Sequence, residues 1–164
     1  MTSIDTITIR KATVRDANSI LDCLRSAFEP YNRCYTAVAL EDTVLTPESV
    51  LRRLDEMVIF VALDHSGLVV GTVACNVIAQ AEGHLRGMAV RPECQAHGIA
   101  DQLLASAEAE LMQQQCSRIS LDTTEPLQRA MRFYEKHGFR RSGRVGDFFG
   151  MPLIEYVKVL TSNG

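Results

Sequence analysis

The stretch His84 to Leu104, HLRGMAVRPECQAHGIADQLL, reads as a strand that runs into a helix. Leu85 to Val90 is apolar enough for a strand, and Arg91 and Pro92 mark a turn. A short polar loop follows, and Gly98 opens an amphipathic helix. The first amides of a helix have no partner within it, and the helix dipole adds partial positive charge there, so an anion is stabilised at that end. Gly98 has no Cβ to keep a phosphate away from the backbone. Gln95, Ala96, His97, Gly98, Ile99 and Ala100 are placed to supply the amides. Neither G-x-G-x-x-G nor G-x-x-x-x-G-K-[ST] occurs in the chain, so this is not one of the familiar nucleotide loops. Strand-to-helix turns of this kind also occur without a ligand, and the pattern alone leaves both readings open.

Outward from this stretch, strands and helices follow from periodicity. Upstream, Ile7 to Arg10 alternates as a first strand, and Ile20, Leu21, Leu24 and Phe28 form a helical stripe that should stop at Pro30. Residues 29–46 are irregular, after which Thr46-Pro-Glu-Ser49 caps a helix to about Glu56. Val58 to Leu63 and Leu68 to Val77 form a hairpin about Asp64-His-Ser-Gly67, and Glu82 to Val90 is the fourth strand. Downstream, Gly98 to Gln114 is a long helix, and Arg118 to Thr123 is a fifth strand parallel to the fourth. Pro126 to His137 is a helix ended by Gly138. Phe139 to Arg144 and Ile154 to Leu160 are the last strands, with residues 145–152 as a loop between them.

Composition bounds the function. The 164 residues suit one domain, and 46% hydrophobic with 23% charged residues is ordinary for a globular chain. A net charge of −3 leaves no footprint for nucleic acid. No apolar run reaches the ~20 residues of a membrane span, and Met1 to Asp5 has no signal-peptide pattern, so a cytoplasmic protein is expected. Five scattered cysteines read as reduced thiols, with Cys94 as a loop residue rather than a nucleophile. Cys94 and His97 make a C-x-x-H pair with no second pair nearby, so no metal is expected.

Val90-x-Pro92-x-x-Gln95-x-x-Gly98-x-Ala100 with Leu103-Leu104 resembles the acetyl-CoA-binding signature of the GNAT superfamily of N-acetyltransferases. Ala130-Met-Arg-Phe-Tyr134-Glu-Lys-His-Gly138-Phe139 resembles that superfamily's A-x-x-x-Y-x-x-x-G-F block, in the expected order and spacing. Ile9-Arg10-x-Ala12-Thr13-x-x-Asp16-Ala17 looks like its opening strand. The resemblance implies one α/β domain over residues 1–164, with a mixed, mostly antiparallel sheet of about seven strands and about four helices. It further implies that the fourth and fifth strands splay apart beyond Val90, so that the backbone of Met88, Ala89 and Val90 pairs with the pantetheine arm of acetyl-CoA. The first two helices and their connection would then wall the acceptor site. Tyr134 would protonate the leaving thiolate, although from periodicity alone it is a core residue. Many members have an asparagine where this chain has Leu127, which removes one cofactor contact.

The implied reaction is transfer of acetyl from acetyl-CoA to a primary amine by direct attack in a ternary complex. A lysine-like amine has a pKa of ~10.4, so about 4 kcal/mol must come from desolvation or a base to neutralise it at pH 7. His84, at a position where several members carry a glutamate, has an intrinsic pKa suited to the task. Asp122, where some members hold an acid, is the other candidate, and Glu82 is further toward the strand start. His84 as a structural residue, Asp122 as a cap before Pro126, and ordered water in place of any base all stay open. Glu29, Glu41, Asp42 and Asp147, if near the mouth, would favour a cationic acceptor, either a small molecule or a peptide. A non-catalytic acyl-CoA-binding or sensor module of the same fold is the alternative, and a homodimer through the C-terminal strands is compatible with either.

Overall fold

Short connections keep the first four strands antiparallel, and one long crossover turns the direction of the fifth. The computed structural model describes residues 6–160; the Met1 to Asp5 stretch read above lies outside them. β1 (Thr8–Lys11) leads to α1 (Ala17–Phe28), α2 (Ala37–Val44) and α3 (Pro47–Glu56). β2 (Val58–Leu63), β3 (Val69–Ala79) and β4 (Glu82–Val90) follow, then α4 (Ile99–Gln113), β5 (Arg118–Thr123) and α5 (Gln128–Lys136). β6 (Arg140–Phe148) and β7 (Met151–Val159) close the chain. The seven strands form one sheet in the order β1-β2-β3-β4-β5-β7-β6, antiparallel throughout except for the β4–β5 pair. No helix among the described residues is long and apolar enough to cross a membrane.

Each face of the sheet buries its own core. On one face Ile99, Leu103, Leu104 and Leu111 of α4 and Met131 and Tyr134 of α5 pack on Val73, Leu85, Ile119 and Tyr156. On the other, the predicted α1 stripe of Ile20, Leu21, Leu24 and Phe28 packs with Val50 of α3 against Ile59, Val61 and Ala74. The α3 start is capped as its sequence indicates: Thr46 accepts from Ser49 N at 3.2 Å while Ser49 Oγ accepts from Thr46 N at 2.8 Å.

The structure departs from the sequence reading in three places. α2 is a fifth helix where the sequence is irregular; it buries only Ala39, too little to leave an apolar stripe. Residues 145–152 are not a loop but the tip of a long hairpin, in which β6 and β7 pair up to Phe148 and Met151. Phe149 (φ 50°) and Gly150 (φ 90°) make its two-residue turn, and Asp147 accepts from Gly150 N at 3.3 Å. β6 is almost wholly exposed, so it lacks the alternation that marks a strand. The third difference concerns the splay of β4 from β5. Their pairing runs only from Glu82 and Arg118 to Leu85 and Leu121, so the strands part after Leu85 rather than beyond Val90. The cause is a bulge on β4, where Gly87 and Met88 oppose Val73 alone and Gly87 takes φ 61°.

The start of α1 is tied to β1 by Asp16, whose carboxylate takes Arg10 Nη1 at 2.8 Å, Arg10 Nη2 at 2.9 Å and Thr13 N at 2.8 Å. The Arg10 hydrogen bonds hold the Asp16 carboxyl below its ordinary value, against the opposing effect of burial. A lowered folded-state pKa contributes stability above the unfolded value of ~3.9 that is lost as pH falls through the folded one. Asp16→Ala should therefore cost about 2 kcal/mol at pH 7, roughly 4–8 °C in Tm. Denaturation of both proteins at pH 7 and pH 3 tests this, because the difference between them should shrink in acid.

Candidate active site

The predicted cradle is assembled by the turn between β4 and α4. Arg91 is buried and anchors it, donating from Nε to Val69 O at 2.7 Å, from Nη2 to Asp22 at 2.7 Å and from Nη1 to Ser26 at 3.1 Å. Gln95 donates to Val90 O at 3.1 Å and accepts from Arg129 of α5 at 2.8 Å. Ala96 (φ 67°) and Gly98 (φ 76°) both take left-handed conformations, which turn the loop's amides outward ahead of the helix. A Cβ on Gly98 would meet no protein atom within 4 Å, so backbone angle and approach from outside, rather than internal crowding, favour glycine there. The amides of residues 96–101 find no acceptor among the described residues. That is the donor set an anion would satisfy.

A groove of about 220 Å³ runs from this cradle into the protein. Gln95, Ala96, Gly98, Ile99 and Ala100 line its outer end, and Met88, Ala89 and Val90 line it where β4 has left β5. His97 is exposed and not part of the lining, so it can offer only its amide. The opposite wall is α5, through Arg129, Ala130, Phe133 and Tyr134. A larger cavity of about 500 Å³ lies on the other side of the splay, between the sheet, α2 and α3. Phe28, Met88, Leu127, Ala130 and Tyr134 line both spaces, so the two meet there. Tyr134 is buried between Phe133 and Phe139, with ring centroids 5.5 and 5.6 Å away, and its hydroxyl has no hydrogen bond among the described residues. Burial pushes the phenol pKa well up, so it stays protonated.

His84 and Asp122 stand together on the wall of the larger cavity. His84 and Ser120 are register partners, and His84 Nδ1 lies 2.9 Å from Ser120 Oγ. His84 Nε2 is 3.8 Å from Asp122 Oδ2. Burial lowers the imidazole pKa, and the Asp122 charge opposes it only in part. Burial raises the Asp122 carboxyl, with His84 opposing and its cross-strand neighbour Glu155 adding to the rise. Glu82 points elsewhere, toward Arg118 at 3.8 Å. Cys94 is buried and its thiol pKa raised by burial, the opposite of an activated nucleophile. Of Glu29, Glu41, Asp42 and Asp147, which would favour a cationic acceptor if near the mouth, only Asp42 lines this cavity, and it faces Arg86 at 3.3 Å. Ser120, Arg53 and Arg129 are functional candidates that no sequence motif marks; they sit at these positions only through register and helix packing.

The profile of the Acetyltransferase (GNAT) family matches residues 18–139. The chain belongs to this acetyltransferase family. No curated protein matches the sequence. Among solved structures, a PaiA N-acetyltransferase from Thermoplasma acidophilum in complex with coenzyme A is 19% identical with a TM-score of 0.79, over 94% of this chain and 99% of that one. A GNAT-family acetyltransferase from Staphylococcus aureus Mu50 is 19% identical at TM-score 0.78, over 95% and 100%. The ribosomal-protein-S18-alanine N-acetyltransferase of Escherichia coli is 16% identical at TM-score 0.76, over 97% of each. At these identities the likeness is one of fold. It covers nearly the whole chain.

The His84 and Asp122 pair titrates as a coupled unit whether or not a substrate is bound. The His84 ring should titrate below its ordinary ~6.5, and Asp122→Asn should lower it further by removing the charge that opposes burial. NMR titration of the His84 ring protons in both proteins checks this. A midpoint unchanged in the variant would mean that the carboxylate does not act on the ring.

Proposed function

We propose that the protein is an N-acetyltransferase, a single domain over residues 1–164, that moves acetyl from acetyl-CoA to a primary amine by direct attack in a ternary complex. The observation that carries this reading is the meeting, at Tyr134, of an amide-lined groove and a separate cavity that His84 and Asp122 line. One space suits a phosphate-bearing donor and the other an acceptor, and they join where one buried proton donor stands. Acetyl-CoA supplies the activated thioester.

This chain's residues account for the rest. The amides of residues 96–101 hold the phosphates, with Arg129 adding a positive charge at the groove. The backbone of Met88, Ala89 and Val90, free on its β5 side, offers strand-like hydrogen bonds to an extended arm. His84 is kept neutral by burial; with its Nδ1 proton donated to Ser120, Nε2 is free to take a proton from the amine. Asp122 stabilises the resulting imidazolium, and Tyr134 delivers a proton to the departing sulfur. A non-catalytic acyl-CoA sensor is the second reading, favoured by Leu127, an apolar residue where the groove and cavity join.

Isothermal titration with acetyl-CoA should give micromolar affinity, abolished in Gly98→Glu, whose side chain places negative charge before the cradle. Tyr134→Phe should lower thiol release about 10²-fold with the acetyl-CoA KM nearly unchanged. His84→Ala should remove the acid limb of the pH profile. Binding with no turnover on any amine would favour the sensor, and no binding would sink both readings.

A further inference from the structure

Arg53 comes from the last turns of α3 and places its guanidinium on the wall of the larger cavity, over the β4 bulge. A Cβ on Gly87 would lie 2.9 Å from its Nη1, so the glycine that bends β4 also makes room for this cation. Among the described residues Arg53 has neither an ion pair nor a side-chain hydrogen bond. The other shielded guanidinium, Arg91, has a partner on each of its three nitrogens, as the cost of a desolvated charge requires. Burial holds Arg53 down to about 10, with repulsion from Arg86 adding to the effect and Asp42 opposing it.

Two guanidiniums, Arg53 and Arg86, thus face one cavity, and Asp42 pairs with Arg86 alone. Glu56, three residues along α3, also lines the space but is exposed and makes no ion pair with Arg53. The cavity is therefore polarised. A cation wanting an anion stands at the α3 side, and the His84 and Asp122 pair stands at the sheet side.

We propose that the acceptor is an amine that carries its own carboxylate, a free amino acid or close analogue. Its carboxylate is held on Arg53 while its nitrogen lies toward His84 and Tyr134. A guanidinium presents two parallel donors to a carboxylate, which fixes orientation as well as charge. A polyamine would meet repulsion at Arg53, and a peptide N-terminus has an amide where the carboxylate is required. This specificity rests on the acetyltransferase reading above.

The test is titration at saturating CoA, with thiol release from acetyl-CoA alongside. The probes are the common amino acids, their carboxamides and a short diamine, against wild type, Arg53→Gln and Arg53→Lys. At least one amino acid should be preferred over its amide by tenfold or more. Arg53→Gln should lose that preference while keeping acetyl-CoA affinity and thermal stability, since it removes an unpartnered charge. Arg53→Lys should restore part of it. Amides or the diamine engaging as well as the acids would overturn the proposal. So would a preference that survives in Arg53→Gln, or failure of every amino acid to engage while acetyl-CoA binds. Loss of acetyl-CoA binding in the wild type would instead strike the underlying reading, and the proposal with it.

Discussion

β4 cannot stay paired with β5, because its extra residue at Gly87 and Met88 turns the strand off the line set by Glu82 to Leu85. A bulge of this kind increases local twist and re-aims the chain beyond it. Had the pairing continued, β4 backbone groups would have been consumed by β5, and neither groove nor junction would exist. Instead the backbone of Met88 to Val90 is left without a β5 partner where it lines the groove. Main-chain polar groups removed from water need partners, so an opened sheet of this sort calls for a ligand that is itself extended and polar.

The cradle is held from several directions at once. Arg91 ties its approach to α1 and β3, Gln95 closes the loop on Val90, and Arg129 links it to α5. Ala96 is held in a left-handed conformation that costs an ordinary residue about 1 kcal/mol. Such strain persists only where surrounding contacts over-determine the loop, as these three do. The arrangement turns the amides outward before any ligand arrives, which reduces the ordering that binding must supply.

Legibility of the sequence followed the length scale of each signal. The strand-turn-helix around Gly98, the α1 stripe and the Tyr134 block are local patterns with strong periodicity, and each lies where its residues indicate. α2 and the β6–β7 tip were not legible: one buries a single alanine and the other is nearly all exposed, so neither leaves a periodic trace. The splay begins after Leu85 rather than beyond Val90, and no sequence rule marks a bulge at a lone glycine between Arg86 and Met88. Arg53, Ser120 and Arg129 depend on contacts across 30 or more positions, as Gln95 with Arg129 and His84 with Ser120 show. Of Glu29, Glu41, Asp42 and Asp147 only Asp42 lines the larger cavity, because charge along an irregular stretch says nothing of which side chains turn inward.

Burial acts in opposite directions on the two titratable groups that matter most for the proposed reaction. It lowers the His84 imidazole and raises the Tyr134 phenol, because in each case the charged form is the one that loses water. Near neutral pH the same desolvation therefore leaves an uncharged base on the cavity wall and a protonated acid at the junction. Removing a proton from an amine and returning one to a thiolate requires those two states together. Neighbouring charge then discriminates: Asp122 moderates the depression at His84, whereas no charge contributes to the shift at Tyr134. The carboxylate draws the base's pKa back toward its ordinary value, while the acid, left to burial alone, holds its proton more tightly than a free phenol does.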